Sequence, residues 1–245
     1  MKSMEVLFLK EKELQMIKNI LFDLDDTILD FHKCERTALS ETFIKLGVEH
    51  TDKILDRYSV INDMHWKRLE KGELTRAQVL LGRFEVLFEE IGAECSGELA
   101  WKTYEELLGN QYFLVNGALD LLEKLYGKYR LYIVSNGTAT VQDRRIAGAK
   151  LEKYFDKIFI SQKIGFNKPD IKFFEKCFSE IDDIKKEETI IIGDSLSSDI
   201  QGGINAGIRT CWYNPKKTGY PKSMNIDYVI HSLDEIEEVI QREQE

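Results

Sequence analysis

Ile20-Leu21-Phe22-Asp23-Leu24-Asp25-Asp26-Thr27 sets an apolar run directly against an acidic cluster, and the reading of this junction decides the fold. Ile17 to Phe22 reads as a buried strand, so the carboxylates fall at its carboxyl end. Carboxylates repel one another, and each loses several kcal/mol on leaving water unless it is paired or binds a metal. A divalent cation at this point would remove both penalties.

Three later segments carry complementary chemistry. Leu131-Tyr132-Ile133-Val134 ends in Ser135-Asn136-Gly137, and Ile190-Ile191-Ile192 ends in Gly193-Asp194-Ser195 with Asp199 beyond. Both are β-branched runs closing on polar residues, as strands of a parallel sheet do at their carboxyl ends. Between them lies Asn167-Lys168-Pro169-Asp170.

From Phe113 onward apolar strand runs alternate with helical periodicity: strands to Ser135, over Ile158–Ile160, to Asp194, over Thr210–Tyr213 and over Tyr228–Ile230. Repeated βα units predict a doubly wound parallel-sheet, Rossmann-like α/β core. Between Phe22 and about Asn110 the pattern is helical throughout. Gly47, Gly72, Gly92 and Gly109 read as stops, Thr51, Thr75 and Ser96 as starts, with a capping box at Thr75-x-x-Gln78. Four helices with short connections make a bundle inserted after the first strand. The expected division is an amino-terminal extension over 1–16, a core over 17–30 and 111–245, and a helical cap over 31–110. The crossings near Asp30 and Asn110 read as hinges. A second capping box, Ser232-x-x-Glu235, starts a terminal helix.

The four acidic, hydroxyl and lysine segments, in this order, resemble the motifs of the haloacid dehalogenase superfamily of phosphotransferases. The helical insertion resembles the cap of one of its subclasses. Asn62-Asp63-Met64-His65-Trp66, Glu70-Lys71-Gly72-Glu73 and the late stretch Gly202–Gly207 through Asn214 further resemble bacterial pyrimidine 5'-nucleotidases that also accept non-standard pyrimidines. The resemblance implies magnesium-dependent hydrolysis of a phosphomonoester through an aspartyl-phosphate. It makes Asp23 the nucleophile, Asp25 the acid and base, and Ser135 and Lys168 the groups that stabilise the phosphoryl. Mg2+ falls to Asp23, the Asp25 carbonyl and Asp194, with Asp199 behind them. Asn136, Gly137 and Thr27 are expected as supporting contacts. Asn62, Trp66 and Arg83 of the cap are candidates for holding the rest of the substrate. Retention of Asp25 speaks against dehalogenation, since expelling halide needs no proton. The alternatives are a sugar-phosphate, phosphoglycolate or acylneuraminate-phosphate phosphatase and, from another class, a catalytically silent binding module.

The 245 residues carry a net charge of −9, which argues against nucleic acid or an anionic membrane surface as partners. A small anionic phosphomonoester remains compatible, because one Lys and one metal ion reverse the local field. Cys34, Cys95, Cys177 and Cys211 are scattered, which suits reduced thiols and a cytoplasmic setting. Met1 to Met16 is broken by Lys10, Glu11, Lys12 and Glu13, which spoils it as a signal peptide and leaves Met16 as an alternative start. The assembly expected is a monomer or homodimer. His32, His50, His65 and His231 lack metal spacing, and Arg144-Arg145 reads as a solvated helix face, with a phosphate-side role as the lesser alternative.

Overall fold

Runs of Ile, Leu, Val and Phe become the strands of one sheet in the computed structural model, which describes residues 16–242. The expected extension therefore lies outside the described residues except for Met16. Strand β1 (Asn19–Phe22) is followed by four helices, α1 (Phe31–Leu46), α2 (Asp52–Glu70), α3 (Arg76–Ile91) and α4 (Gly97–Leu108). Then come α5 (Ala118–Leu125), β2 (Arg130–Ser135), α6 (Ala139–Gly148), β3 (Lys157–Ile160), α7 (Ser161–Ile164), α8 (Ile171–Ser179), β4 (Thr189–Gly193), α9 (Gln201–Ala206), β5 (Arg209–Tyr213), β6 (Tyr228–Ile230) and α10 (Ile236–Arg242).

The sheet is wholly parallel in the order β3-β2-β1-β4-β5-β6. Phe22 pairs in register with Ile133 on one side and Ile192 on the other. The residues just past it, Asp23, Ser135 and Asp194, therefore emerge at one edge. This is where the strand order reverses, the crevice that parallel α/β sheets use for ligands. β1, β2 and β4 are buried almost throughout, which is why they read as unbroken apolar runs rather than alternating ones.

Helices α1 to α4 pack around their own core. Tyr58, Phe84 and Tyr104 meet there with ring centroids 5.0, 5.7 and 5.6 Å apart. Gly47 and Gly92 close α1 and α3 in the left-handed conformation, and both halves of the Thr75–Gln78 capping box form. The chain enters and leaves this bundle along a short antiparallel ribbon. Asp30 N–H donates to Phe113 O at 2.8 Å, Val115 N–H donates to Ile28 O at 3.0 Å, and Leu29 bridges Leu114.

Two details depart from the expected elements. The first strand begins at Asn19 rather than Ile17, although Ile17 is buried. The segment after Asp194 opens with a wide π-helical turn over Leu196–Ile200 before α9, a distortion common at functional sites. The turn brings the Asp199 carboxylate back onto Ser195 N–H at 3.0 Å. Among the described residues no helix is long and apolar enough to cross a membrane.

Candidate active site

Lys168 is the hub of the sheet edge. Its side chain is 1% exposed, and Nζ donates to Asp23 Oδ1 at 2.6 Å, Asp199 Oδ1 at 2.6 Å and Val134 O at 2.7 Å. Its backbone is clamped as well: Lys168 N–H donates to Asn136 Oδ1 and Asn136 Nδ2 donates back to Lys168 O, both at 2.9 Å. The loop after β2 thus fixes the lysine that β1 and β4 need. Burial opposes the ammonium charge, but Asp199 and Asp23 more than offset it and hold Lys168 above its ordinary range.

Asp23 and Asp194 also shift upward, which for a carboxyl disfavours the charged form. Burial raises both carboxyls well above the usual value; Asp199 adds to this at Asp23, and Asp23 with Asp199 adds to it at Asp194. Thr27 Oγ1 lies 3.5 Å from Asp194 Oδ1, and Trp212 Nε1 donates to Asp194 O at 2.7 Å. Asp23, Asp194 and Asp199 each offer an oxygen such that all lie within 4.8 Å of one another. Three crowded carboxylates with one ammonium leave a local negative excess in a desolvated site, and the donors are all hard oxygens. The set fits a divalent cation such as magnesium. Asp199 has both oxygens engaged by protein donors, Lys168 and Ser195 N–H, which suits a place behind the ion rather than on it. A Cβ at Gly193 would overlap that carboxylate, so the backbone there must be bare.

Asp25 meets Gln142 Nε2 at 2.6 Å through Oδ2 and Arg145 Nη1 through Oδ1. Ser135 Oγ accepts from the same Gln142 amide at 2.9 Å and from Gly137 N–H at 3.2 Å. The Arg144-Arg145 pair departs from the solvated face expected of it. Successive helical residues stand about 100° apart; Arg144 is exposed while Arg145 is 0% exposed and bound to Asp25.

A cavity of about 210 Å³ opens between this edge and the helical layer, lined among others by Asp23, Asp25, Ser135, Lys168, Asp194, Trp66 and Arg83. Asn136 and Gly137 also border it, whereas Asn62 and Thr27 do not. Asn62 sits behind the wall, where its amide donates to Glu35 Oε1 at 2.7 Å and accepts from Arg83 Nη1 at 2.8 Å. One side of the Trp66 ring is covered by Arg76, whose guanidinium lies 5.4 Å from the ring centroid. Arg76 then reaches across to the sheet layer, donating to Asn136 O, Gly137 O, Ser161 Oγ and Asn167 Oδ1 at 2.9, 3.1, 2.7 and 2.8 Å. Arg76 and Gln142 went unread in the sequence, and Arg145 was read as part of a solvated face. Gln142 and Arg145 carried one usable signal, since they share a helix face with the apolar Val141 and Ile146.

Residues 20–213 match the family model described as haloacid dehalogenase-like hydrolase. The chain belongs to that family. Among haloacid dehalogenase-like relatives, it is 38% identical over 220 residues to pyrimidine 5'-nucleotidase PynA of Streptococcus pneumoniae, covering 89% of this chain and 93% of that protein. It is 30% identical over 221 residues to pyrimidine 5'-nucleotidase YjjG of Escherichia coli, covering 90% and 96%. The crystal structure of the HAD-hydrolase YfnB from Bacillus subtilis, bound to magnesium, superposes with a TM-score of 0.88 at 37% identity, covering 92% of this chain and 99% of that one. The α/β core and its inserted helices are thus those of a haloacid dehalogenase-like hydrolase.

Proposed function

We propose that this chain is a magnesium-dependent phosphomonoester hydrolase whose substrates are pyrimidine nucleoside 5'-monophosphates. The observation that carries the reading is Lys168 Nζ shared between Asp23 and Asp199 at the sheet edge, with Asp194 beside them and a cavity above. The similarity to PynA and YjjG supports the nucleotide half. The magnesium in the YfnB structure supports the metal.

In this reading Asp23 Oδ attacks phosphorus, the ester P–O bond breaks, and its electron pair leaves on the ester oxygen, which takes the proton of the Asp25 carboxyl. Asp25, now a carboxylate, takes a proton from water. The water oxygen bonds to phosphorus as the Asp23 O–P bond breaks, restoring Asp23 and releasing phosphate. Lys168 and Ser135 offset the phosphoryl charge, with Asn136 and Gly137 shaping the loop around it. Magnesium, held by Asp23, Asp194 and the Asp25 carbonyl, supplies the remaining neutralisation when bound. Asp199 and Thr27 orient those ligands.

Residues 31–110 act as the cap in this reading, with 17–30 and 111–245 as the core. Trp66 and Arg83 face the nucleoside, and Asn62 holds Arg83 in place. The 28–30 and 113–115 ribbon is the hinge, and the setting is cytoplasmic. The test is a panel of phosphometabolites with magnesium. Hydrolysis favouring uridine, deoxyuridine and thymidine monophosphates is expected. Equal turnover of sugar phosphates would remove the nucleotide assignment and leave the broader phosphatase. No turnover at all would favour a silent binding module.

A further inference from the structure

Gln142 and Arg145 of α6 engage both oxygens of Asp25, and the scheme above gives them no task. They are 2% and 0% exposed. Gln142 Nε2 donates to Asp25 Oδ2 at 2.6 Å and Ser135 Oγ at 2.9 Å, while its Oε1 accepts from Arg145 Nη1 at 2.9 Å. The amide therefore cannot turn over without losing partners at both ends. Arg145 Nη1 donates to Asp25 Oδ1, and its Nε donates to Gln111 O at 3.0 Å. Phe31 packs against the guanidinium, 5.6 Å from ring centroid to the guanidinium carbon. Gly137 is part of the arrangement, since a Cβ there would overlap the Gln142 side chain.

A partly buried guanidinium–carboxylate pair is weak evidence for stability alone, because desolvation offsets much of the attraction. What this pair does supply is orientation. Each Asp25 oxygen receives one protein donor from a different direction, and each retains a lone pair that can carry the proton meant for an ester oxygen or accept one from a water. The hydroxyl of Ser135 is tied to the same amide, so the group facing the phosphoryl and the group facing the leaving oxygen are set by one side chain. We propose that Gln142 and Arg145 are positioning residues that aim the Asp25 carboxyl at the ester oxygen of the substrate, an inference resting on the reading of Asp25 as acid and base.

The test uses leaving groups that differ in their need for a proton. A nucleoside alkoxide needs one; p-nitrophenolate does not. kcat/KM, which reports events through ester cleavage, is measured on the magnesium-loaded enzyme with uridine 5'-monophosphate and with p-nitrophenyl phosphate. Asp25→Asn sets the scale, with a loss of about 10²-fold or more on the nucleotide and a much smaller one on the aryl ester. Gln142→Met and Arg145→Lys are expected to lose at least about tenfold more on the nucleotide than on the aryl ester. Gln142→Met nearly conserves volume and decides the matter if Arg145→Lys does not fold. Equal losses on both esters would overturn the positioning role. Absence of bias in Asp25→Asn itself would instead overturn the acid–base reading.

Discussion

Lys168 in the sheet layer and Arg83 in the helical layer are both nearly buried cations, 1% and 3% exposed, yet they meet their carboxylates by different routes. Lys168 touches Asp23 and Asp199 directly. Arg83 reaches Glu35 only through the amide of Asn62, and spends its faces on aromatic rings, with Tyr104 at 5.1 Å. Direct pairing concentrates field where phosphoryl charge must be offset. The amide spacer keeps the carboxylate off the Arg83 guanidinium at the cavity wall, which in the proposed reading leaves it to a substrate group. On the proposed function, the contrast separates a layer that reacts from a layer that selects.

The sharpest way to break this contrast is to remove each cation. Lys168→Met leaves Asp23 and Asp199 without their cation, and a loss of about 3–5 kcal/mol is expected. Turnover should fall by at least about 10²-fold on every phosphomonoester. Thermal unfolding and kcat on a nucleotide and an aryl phosphate would check both. A variant as stable as the parent would mean that the direct contacts contribute little.

Magnesium gives the next largest effect, and its sign follows from the raised Asp23 and Asp194 carboxyls. A carboxyl whose folded pKa lies above its unfolded value contributes stability at low pH and loses it as pH climbs through the folded value. The metal-free protein should therefore weaken as pH rises above the ordinary aspartate value of 3.8. In the proposed ligand set magnesium takes the ionised pair, so its stabilisation should grow over the same interval, reaching about 2.7 kcal/mol at a hundredfold excess over Kd. Melting with and without magnesium at pH 5 and pH 8 tests this. A gain independent of pH, or one surviving in Asp194→Asn, would contradict the proposed ligand set. Glu35 is also raised, by burial foremost, but it belongs to the selecting layer and should not respond to the metal.

Arg83→Met probes that layer. Loss of a charged hydrogen-bonding group is worth about 1.5–3 kcal/mol, or roughly 10- to 100-fold in kcat/KM. The loss should appear in KM for the nucleotide, with p-nitrophenyl phosphate little affected. Similar losses on both substrates would erase the division between reacting and selecting layers.

The same division governs what could be read from the sequence. Strand ends, glycine stops and caps are local signals, and Asp23, Ser135, Lys168 and Asp194 were legible because four short motifs appear in one order. Glu35 stands between Cys34 and Arg36 on α1 and carries no mark of the buried amide it will meet on α2. Arg145 was obscured by Arg144, because adjacent basic residues suggest a single charged face although the helix turns them apart. The π-helical turn after Ser195 has no period distinct enough to announce it. Side chains that act across layers leave their evidence in the partner, and the partner is distant in sequence.

Arg76 is the extreme case, since its acceptors lie 60 to 91 positions further along the chain. All four are neutral oxygens, and burial pushes the guanidinium below its ordinary value without removing its charge. Neutral acceptors bind a cation less firmly than a carboxylate, so water can replace them when the layers part. If the cap opens as proposed, Arg76 acts as a latch suited to repeated opening. Arg76→Ala is expected to cost only about 1 kcal/mol of global stability. Its effect should concentrate at the joint, with faster amide exchange over residues 136–138 and 161–168 and unchanged exchange in β1 and β4. Uniform acceleration across the sheet would show that Arg76 supports the whole fold. No acceleration at the joint would show that the remaining contacts between the layers, among them Glu70 accepting from Ser197 Oγ at 2.7 Å and Arg144 donating to Asn110 Oδ1 at 2.6 Å, suffice to hold them together.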